Sequence, residues 1–276
     1  VQLPLIQETW NYLLTLAKPL EGYTKDRLFK ILPKTCSLLE FKTGSKHKFY
    51  RLNDEYEVAL LYNDQTTIFE QILRLIPTNE VTRITVVCPY FDEDGATLLN
   101  LTHKYNEARI EVYLPSKFGL PPNKIAQHQK IDFYNWEETK RGKQSISSAE
   151  DYNRKLHSKI FHFKAGDHEY CIIGSANATL AGLGSETNQS VNEEFCPLYK
   201  TTRKGLLEEL GISGEKQLIS VEKLVRDDSS ITNPDKISLL KKARIHCADL
   251  SGRHLRIEYQ DSSELVHQLC IYDCNG

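Results

Sequence analysis

Methionine is missing from all 276 residues, position 1 included. A chain of this length ordinarily carries several, so the expectation is a piece of a longer protein, or one shortened by processing. The seven cysteines include no C-x-x-C pair and are odd in number, which disfavours zinc ribbons and a paired disulfide framework. Most of them sit in apolar runs such as VVCPY and EYCIIG, where a buried thiol behaves as a small hydrophobe. That usage points to a reducing compartment. Cys270 and Cys274 have C-x-x-x-C spacing, too weak to define a site. No run of 18 apolar residues occurs, and the N-terminus VQLPLIQETWNYLL lacks the basic region and cleavage site of a secretory signal. The expectation is a soluble, cytoplasmic protein without membrane contact. Net charge is lacking too: 35 basic against 37 acidic residues leave -2, so no whole-molecule field gathers nucleic acid. Any basic surface must be local.

The chain reads as three regions. Residues 1–55 mix helical periodicity (Trp10, Leu13, Leu14, Leu16, Ala17) with a basic loop, KTGSKHKFYR, and remain unassigned. Residues 56–205 alternate strand and helix. EVALLYN, RITVVCPYF, RIEVYLP and IDFYNW read as strands, and TTIFEQILRLI and DEDGATLLNLTHKYNEA as helices. This order predicts βαβ units, a largely parallel sheet with helices on both faces, and an α/β fold. ETKRGKQSISSAEDYNRK reads as a basic, serine-rich loop, followed by two strands, LHSKIFHF and EYCIIGS, around the turn KAGDH. In residues 206–276, after a helix over TTRKGLLEELGI, the runs ARIHCADLSG, RHLRIEYQ and LVHQLCIYDC alternate and predict a small, mostly β accessory region.

Strand alternation puts His157, Lys159 and Phe161 on one face and Ser158, Ile160 and His162 on the other. An imidazole and an ammonium thus stand side by side. Further on, Gly174-Ser175-Ala176-Asn177 closes the apolar run Tyr170 to Ile173 with small residues that let backbone approach a ligand. Ser175 and Asn177 add a hydroxyl and a carboxamide at the strand's carboxyl end, where ligands bind in open α/β sheets. A cation, neutral donors and a nucleophile or acid-base group together describe a pocket for phosphate.

This pattern resembles the phospholipase D superfamily, whose signature is H-x-K-x4-D followed by G-S-x-N. His157-Ser158-Lys159 and Gly174-Ser175-Ala176-Asn177 match. The aspartate position holds Lys164, with Asp167 three residues later. The resemblance covers residues 56 to 200 and implies a mixed sheet flanked by helices. It also implies a metal-independent phosphodiesterase with no cofactor, in which His157 attacks phosphorus, Lys159 and Asn177 hold the non-bridging oxygens, and Ser175 adds a hydrogen bond. A carboxylate that fixes the imidazole tautomer is implied near VNEEFCPLY, at Glu194 or its neighbour Glu193, with Glu194 preferred because it directly precedes the apolar run. The family draws a second histidine from another copy of the motif. This chain carries one H-x-K with its GSxN, which implies a homodimer, a second catalytic half outside the chain, or a degenerate monomer.

The basic segment from Thr139 to Lys155 supplies candidate substrate contacts at Lys140, Arg141, Lys143 and Lys155 and favours DNA or RNA. Phe133, Tyr134, Trp136 and Tyr152 either stack bases or pack the core. His47 and His128 are weaker candidates for substrate contact, and the remaining histidines read as packing or surface residues. Three functions stay open: a nuclease-like phosphodiesterase, a phospholipid hydrolase or transferase, and a non-catalytic nucleic-acid-binding module.

Overall fold

Thr67 shows how locally some of the fold is encoded. Its hydroxyl accepts from Glu70 N at 3.1 Å while Glu70 Oε2 accepts from Thr67 N at 2.8 Å, a reciprocal pair that starts a helix where the apolar spacing begins. The computed structural model describes residues 3–19, 22–36, 46–116, 118–126, 128–147, 156–224, 243–251 and 254–261. Helices α1 (Leu3–Ala17), α2 (Tyr23–Asp26) and α3 (Leu32–Thr35), the last two joined by a π-helical turn, precede strands β1 (Tyr50–Arg51) and β2 (Tyr56–Tyr62). Then come α4 (Ile68–Leu75), β3 (Val81–Val87), α5 (Ala96–Lys104), β4 (Arg109–Leu114), β5 (Ile131–Asn135) and α6 (Lys140–Ser147). Strands β6 (Ile160–Ala165) and β7 (His168–Ile173), helix α7 (Leu180–Leu183), β8 (Phe195–Thr201) and α8 (Leu206–Glu209) follow. Strands β9 (Ala243–Ser251) and β10 (His254–Asp261) pair with each other as an antiparallel hairpin.

The fold class is α/β, with one eight-stranded sheet in the order β1-β2-β8-β7-β6-β3-β4-β5. Only β3-β4 and β4-β5 are parallel; the other five pairings are antiparallel. The largely parallel sheet expected from the order of elements is therefore corrected to a mixed one, the kind of sheet that the motif resemblance implies. The physical reason lies at Gly166 and Asp167, which join β6 to β7: two residues close a hairpin, whereas a parallel neighbour needs a crossover of a dozen or more. Two further readings change. Residues 140–147 form a helix rather than a loop, because the Thr139 hydroxyl accepts from Gly142 N at 3.0 Å and Lys140 N and Arg141 N are bonded to Ser213 O and Gly211 O. The helix expected over 201–212 shrinks to one turn at Leu206–Glu209, since β8 continues through Thr201. The third C-terminal strand, LVHQLCIYDC, lies outside the described residues.

One face of the sheet builds the main core from Ala59, Leu61, Val86, Val112, Phe161, Phe163, Ile172 and Leu198 with α4 and α5. The opposite face is covered in two parts. Tyr12 of α1 packs on Leu60 and Tyr62, while Trp136, Leu156 and Ile212 pack on Val87, Ile160 and Cys171. Cys88, Cys171 and Cys196 are buried free thiols inside this framework. Among the described residues no helix is long and apolar enough to cross a membrane.

Candidate active site

Four strand ends meet at one end of the sheet. Val87 of β3 pairs with Ile160 of β6, Ile160 pairs with Ile173 of β7, and β8 begins beside them at Phe195. His157 and Lys159 stand on the approach to β6, not within the strand as expected, because the ladder begins at Ile160. A bond from Gly174 N to Lys159 O at 3.3 Å carries the pairing one residue further and fixes the extended backbone there.

The structure brings His157 and Lys159 together. Lys159 is 7% exposed, and its ammonium nitrogen lies 3.3 Å from both ring nitrogens of His157 and 2.9 Å from that residue's carbonyl oxygen. An ammonium donates only to the ring nitrogen that carries no proton. It also sits 5.9 Å from the centre of the Tyr90 ring, a cation-π arrangement. Burial pulls the Lys159 pKa below the ordinary lysine value, opposed by Cys88 and by the charge of Glu194. The His157 side chain itself is open to solvent.

Gly174 is dictated by space. A Cβ there would lie 2.4 Å from Cys196 Sγ and 2.7 Å from the Cys196 Cα, so β7 and β8 approach more closely than any side chain allows. That approach lets Ser175 bond across to β8: Phe195 N donates to Ser175 Oγ at 3.0 Å, and Ser175 N donates to Phe195 O at 3.3 Å. Asn177 is held on its oxygen side, with Cys88 Sγ 3.7 Å from Oδ1. Burial pushes the Cys88 thiol up to about 11, so it keeps its one proton, which the Tyr90 carbonyl oxygen at 3.3 Å also accepts.

The two glutamates differ in placement. Glu193 is exposed, whereas Glu194 is 6% exposed, accepts from Asn192 Nδ2 at 3.1 Å, and acts electrostatically on Lys159. The partner the structure gives its carboxylate is thus Asn192, and its charge acts on Lys159. The signature aspartate has no counterpart here: Lys164 and Asp167 are exposed at the far end of β6 and in the turn beyond it.

No family profile matches the sequence, and no curated protein does. Solved structures similar to the chain include a phospholipase D family member, Nuc, from Salmonella typhimurium. It is 13% identical with a TM-score of 0.34, covering 56% of this chain and 90% of that one. Yeast tyrosyl-DNA phosphodiesterase is 11% identical at a TM-score of 0.33, over 53% of this chain and 48% of that one. NucT from Helicobacter pylori is 10% identical at 0.30, over 52% and 86%. These are likenesses of fold, and the chemistry here is read from the side chains in place.

The basic segment is only partly available to a substrate. Lys140 and Arg141 are exposed at the start of α6, which leaves β5 at the same sheet end as His157. Lys143 is engaged by Glu138 at 3.1 Å. Lys155 and Tyr152 lie outside the described residues, and Phe133, Tyr134 and Trp136 are buried. His47 is tied to the Leu60 carbonyl oxygen at 3.3 Å and to Asp64 at 3.4 Å. Two other H-x-K tripeptides went unread in the sequence, His162-Phe163-Lys164 within β6, whose histidine is buried against Glu169, and His128-Gln129-Lys130. The latter precedes β5 and so sits at the opposite end of the sheet, with its ring nitrogen accepting from Lys130 N at 3.3 Å. Its signal was visible, but without a following GSxN it had nothing to set it apart.

Proposed function

We propose that this chain is a phosphodiesterase that cleaves nucleic acid through a phosphohistidine, with no metal or other cofactor. The observation that carries the reading is the contact between the buried Lys159 ammonium and the open His157 imidazole, 3.3 Å apart, beside Ser175 and Asn177. A phosphodiester entering the site offers its non-bridging oxygens to that ammonium, which turns from the ring to the phosphate and frees a ring nitrogen. His157 attacks phosphorus, the P–N bond forms as the P–O bond to the leaving group breaks, and the leaving oxygen takes a proton. Water then displaces the imidazole and restores the histidine. Lys159 and the Asn177 amide stabilise the charge that builds on the oxygens, Ser175 adds a hydrogen bond, and the buried charge of Glu194 favours the ammonium form of Lys159.

The proton for the leaving group calls for a second acid. His128 is at the wrong end of the sheet, so the second histidine comes from another copy of this chain in a homodimer or from a catalytic half outside it. Nucleic acid is preferred over phospholipid because Lys140 and Arg141, exposed on α6 at the site's end of the sheet, have no ion-pair partner among the described residues.

The test is cleavage of labelled single- and double-stranded DNA and RNA in EDTA by wild type and His157→Ala, with molecular mass by light scattering. Cleavage that survives EDTA, is lost in the variant and comes from a dimer supports the reading. Tight nucleic-acid binding without turnover of any substrate would replace it with a binding module.

A further inference from the structure

Helix α1 reaches the site through one side chain. Tyr12 is 6% exposed, and its ring stacks on Tyr62 at 4.2 Å and on Phe195 at 5.6 Å between centroids. Its hydroxyl lies 3.3 Å from the carbonyl oxygen of Glu194 and 3.4 Å from Glu193 Oε2. Burial first, then the Glu193 carboxylate, pushes the phenol up to about 12, so it remains a donor across the working range.

The residues Tyr12 holds are those on which the site depends. Glu194 supplies the buried charge that Lys159 feels, and Phe195 donates its N–H to the Ser175 hydroxyl while its carbonyl oxygen accepts from Ser175 N. We propose that Tyr12 is a positioning residue for the phosphate site, its ring and hydroxyl fixing the backbone of Glu194 and Phe195 and so the places of the Glu194 carboxylate and the Ser175 hydroxyl. Helix α1 is then a working part of the catalytic unit rather than an appendage. The inference rests on the phosphodiesterase reading of His157 and Lys159.

The helix does not need the Tyr12 hydroxyl to stay docked. Glu8, 5% exposed, accepts from Tyr50 OH at 2.7 Å and from His47 N at 3.0 Å, an independent anchor on the same interface. Tyr12→Phe therefore keeps the stack and the docking and removes only the hydroxyl's grip on Glu193 and Glu194. Tyr50→Phe loosens the same interface without touching the site, and serves as the structural control.

The experiment compares steady-state cleavage of a labelled oligonucleotide and calorimetric binding of tungstate, an oxyanion that mimics phosphate, in wild type, Tyr12→Phe, Tyr50→Phe, Glu194→Gln and the Tyr12→Phe/Glu194→Gln double variant. Tyr12→Phe is expected to lose about tenfold in kcat with KM nearly unchanged, as small displacements of catalytic groups do. Its melting temperature should fall by no more than about 2–4 °C. Tyr50→Phe should melt lower and keep kcat. The double variant should lose less than the product of the two single losses, because both changes act on one element. Wild-type kcat in Tyr12→Phe, or effects that multiply in the double variant, would overturn the role. If wild type cleaves nothing, the phosphodiesterase reading fails on turnover and tungstate decides: weaker binding in Tyr12→Phe than in Tyr50→Phe sustains the positioning role, and equal binding overturns it. Absence of tungstate binding in wild type overturns both.

Discussion

The Lys159 ammonium lies 3.3 Å from each ring nitrogen of His157 while only 7% of the residue is exposed to solvent. In the proposed mechanism this buried cation exchanges the imidazole for a phosphate oxygen. Its compact charge suits this space, whereas a planar guanidinium needs room for five donors. Lys159→Ala is expected to lower kcat by about 10²–10³, the usual cost of removing one donor to a developing oxyanion. Lys159→Arg should recover little of it. Single-turnover rates with far-UV circular dichroism as a folding check would measure both.

The pH profile follows from the direction of the Lys159 shift. Burial lowers its pKa, and the Glu194 charge partly restores it. The ammonium is therefore lost at a lower pH than in an exposed lysine, and activity that needs it declines along an alkaline limb below the ordinary lysine value. Glu194→Gln removes an influence that raises the pKa, so the limb moves to lower pH. A limb in kcat/KM that stays fixed or moves upward in that variant contradicts the coupling.

Gly174→Ala tests the close approach of β7 and β8. The added Cβ would meet Cys196 Sγ at 2.4 Å and the Cys196 Cα at 2.7 Å, and the second of these is backbone. Strand β8 must shift, at a cost of about 1–3 kcal/mol for overpacking. Because Ser175 is bonded to Phe195 on that strand, activity should fall as well. Urea unfolding and kcat measured together would check both effects.

Away from the site, His162 and Glu169 form a buried pair 3.1 Å apart, and Glu169 also accepts from Gly205 N and Leu206 N. Burial lowers the His162 pKa despite the glutamate. The Glu169 pKa is lowered too: burial, which alone would raise it, is outweighed by the two backbone donors and by His162. In both cases the unfolded chain binds protons more readily. Stability should therefore decline as pH falls below the ordinary histidine value, and again as it falls through the folded-state pKa of Glu169. Glu169→Gln should lose about 1.5–3 kcal/mol at neutral pH, the worth of a hydrogen bond to a charged group, and less in acid. Urea unfolding at a series of pH values would show the converging curves.

Much of this fold was legible because its signals are local. The capping pair Thr67 and Glu70 and the apolar spacing of Ile68, Phe69 and Ile72 mark α4, while Ile84, Val86 and Val87 mark β3 and the alternating Ile110, Val112 and Leu114 mark β4. Strand direction was not legible from periodicity, although the two-residue link at Gly166 and Asp167 carried it. Helix α6 was missed because its residues show little apolar spacing; Thr139 and the carbonyls of Gly211 and Ser213 hold it in place. The motif residues His157, Lys159, Ser175 and Asn177 could be named from spacing. The sheet end occupied by His128, and the reach of Tyr12 to Glu194 across 182 positions, depend on topology that no window of sequence contains.

The central claim is a covalent bond between His157 and phosphorus. Rapid acid-free quenching of wild type with an internally phosphate-labelled oligonucleotide, followed by peptide mapping, tests it most directly. The account predicts label on the peptide containing His157, stable to base, labile to acid and absent from His157→Ala. Cleavage that proceeds in His157→Ala, or label found on any other residue, would contradict it.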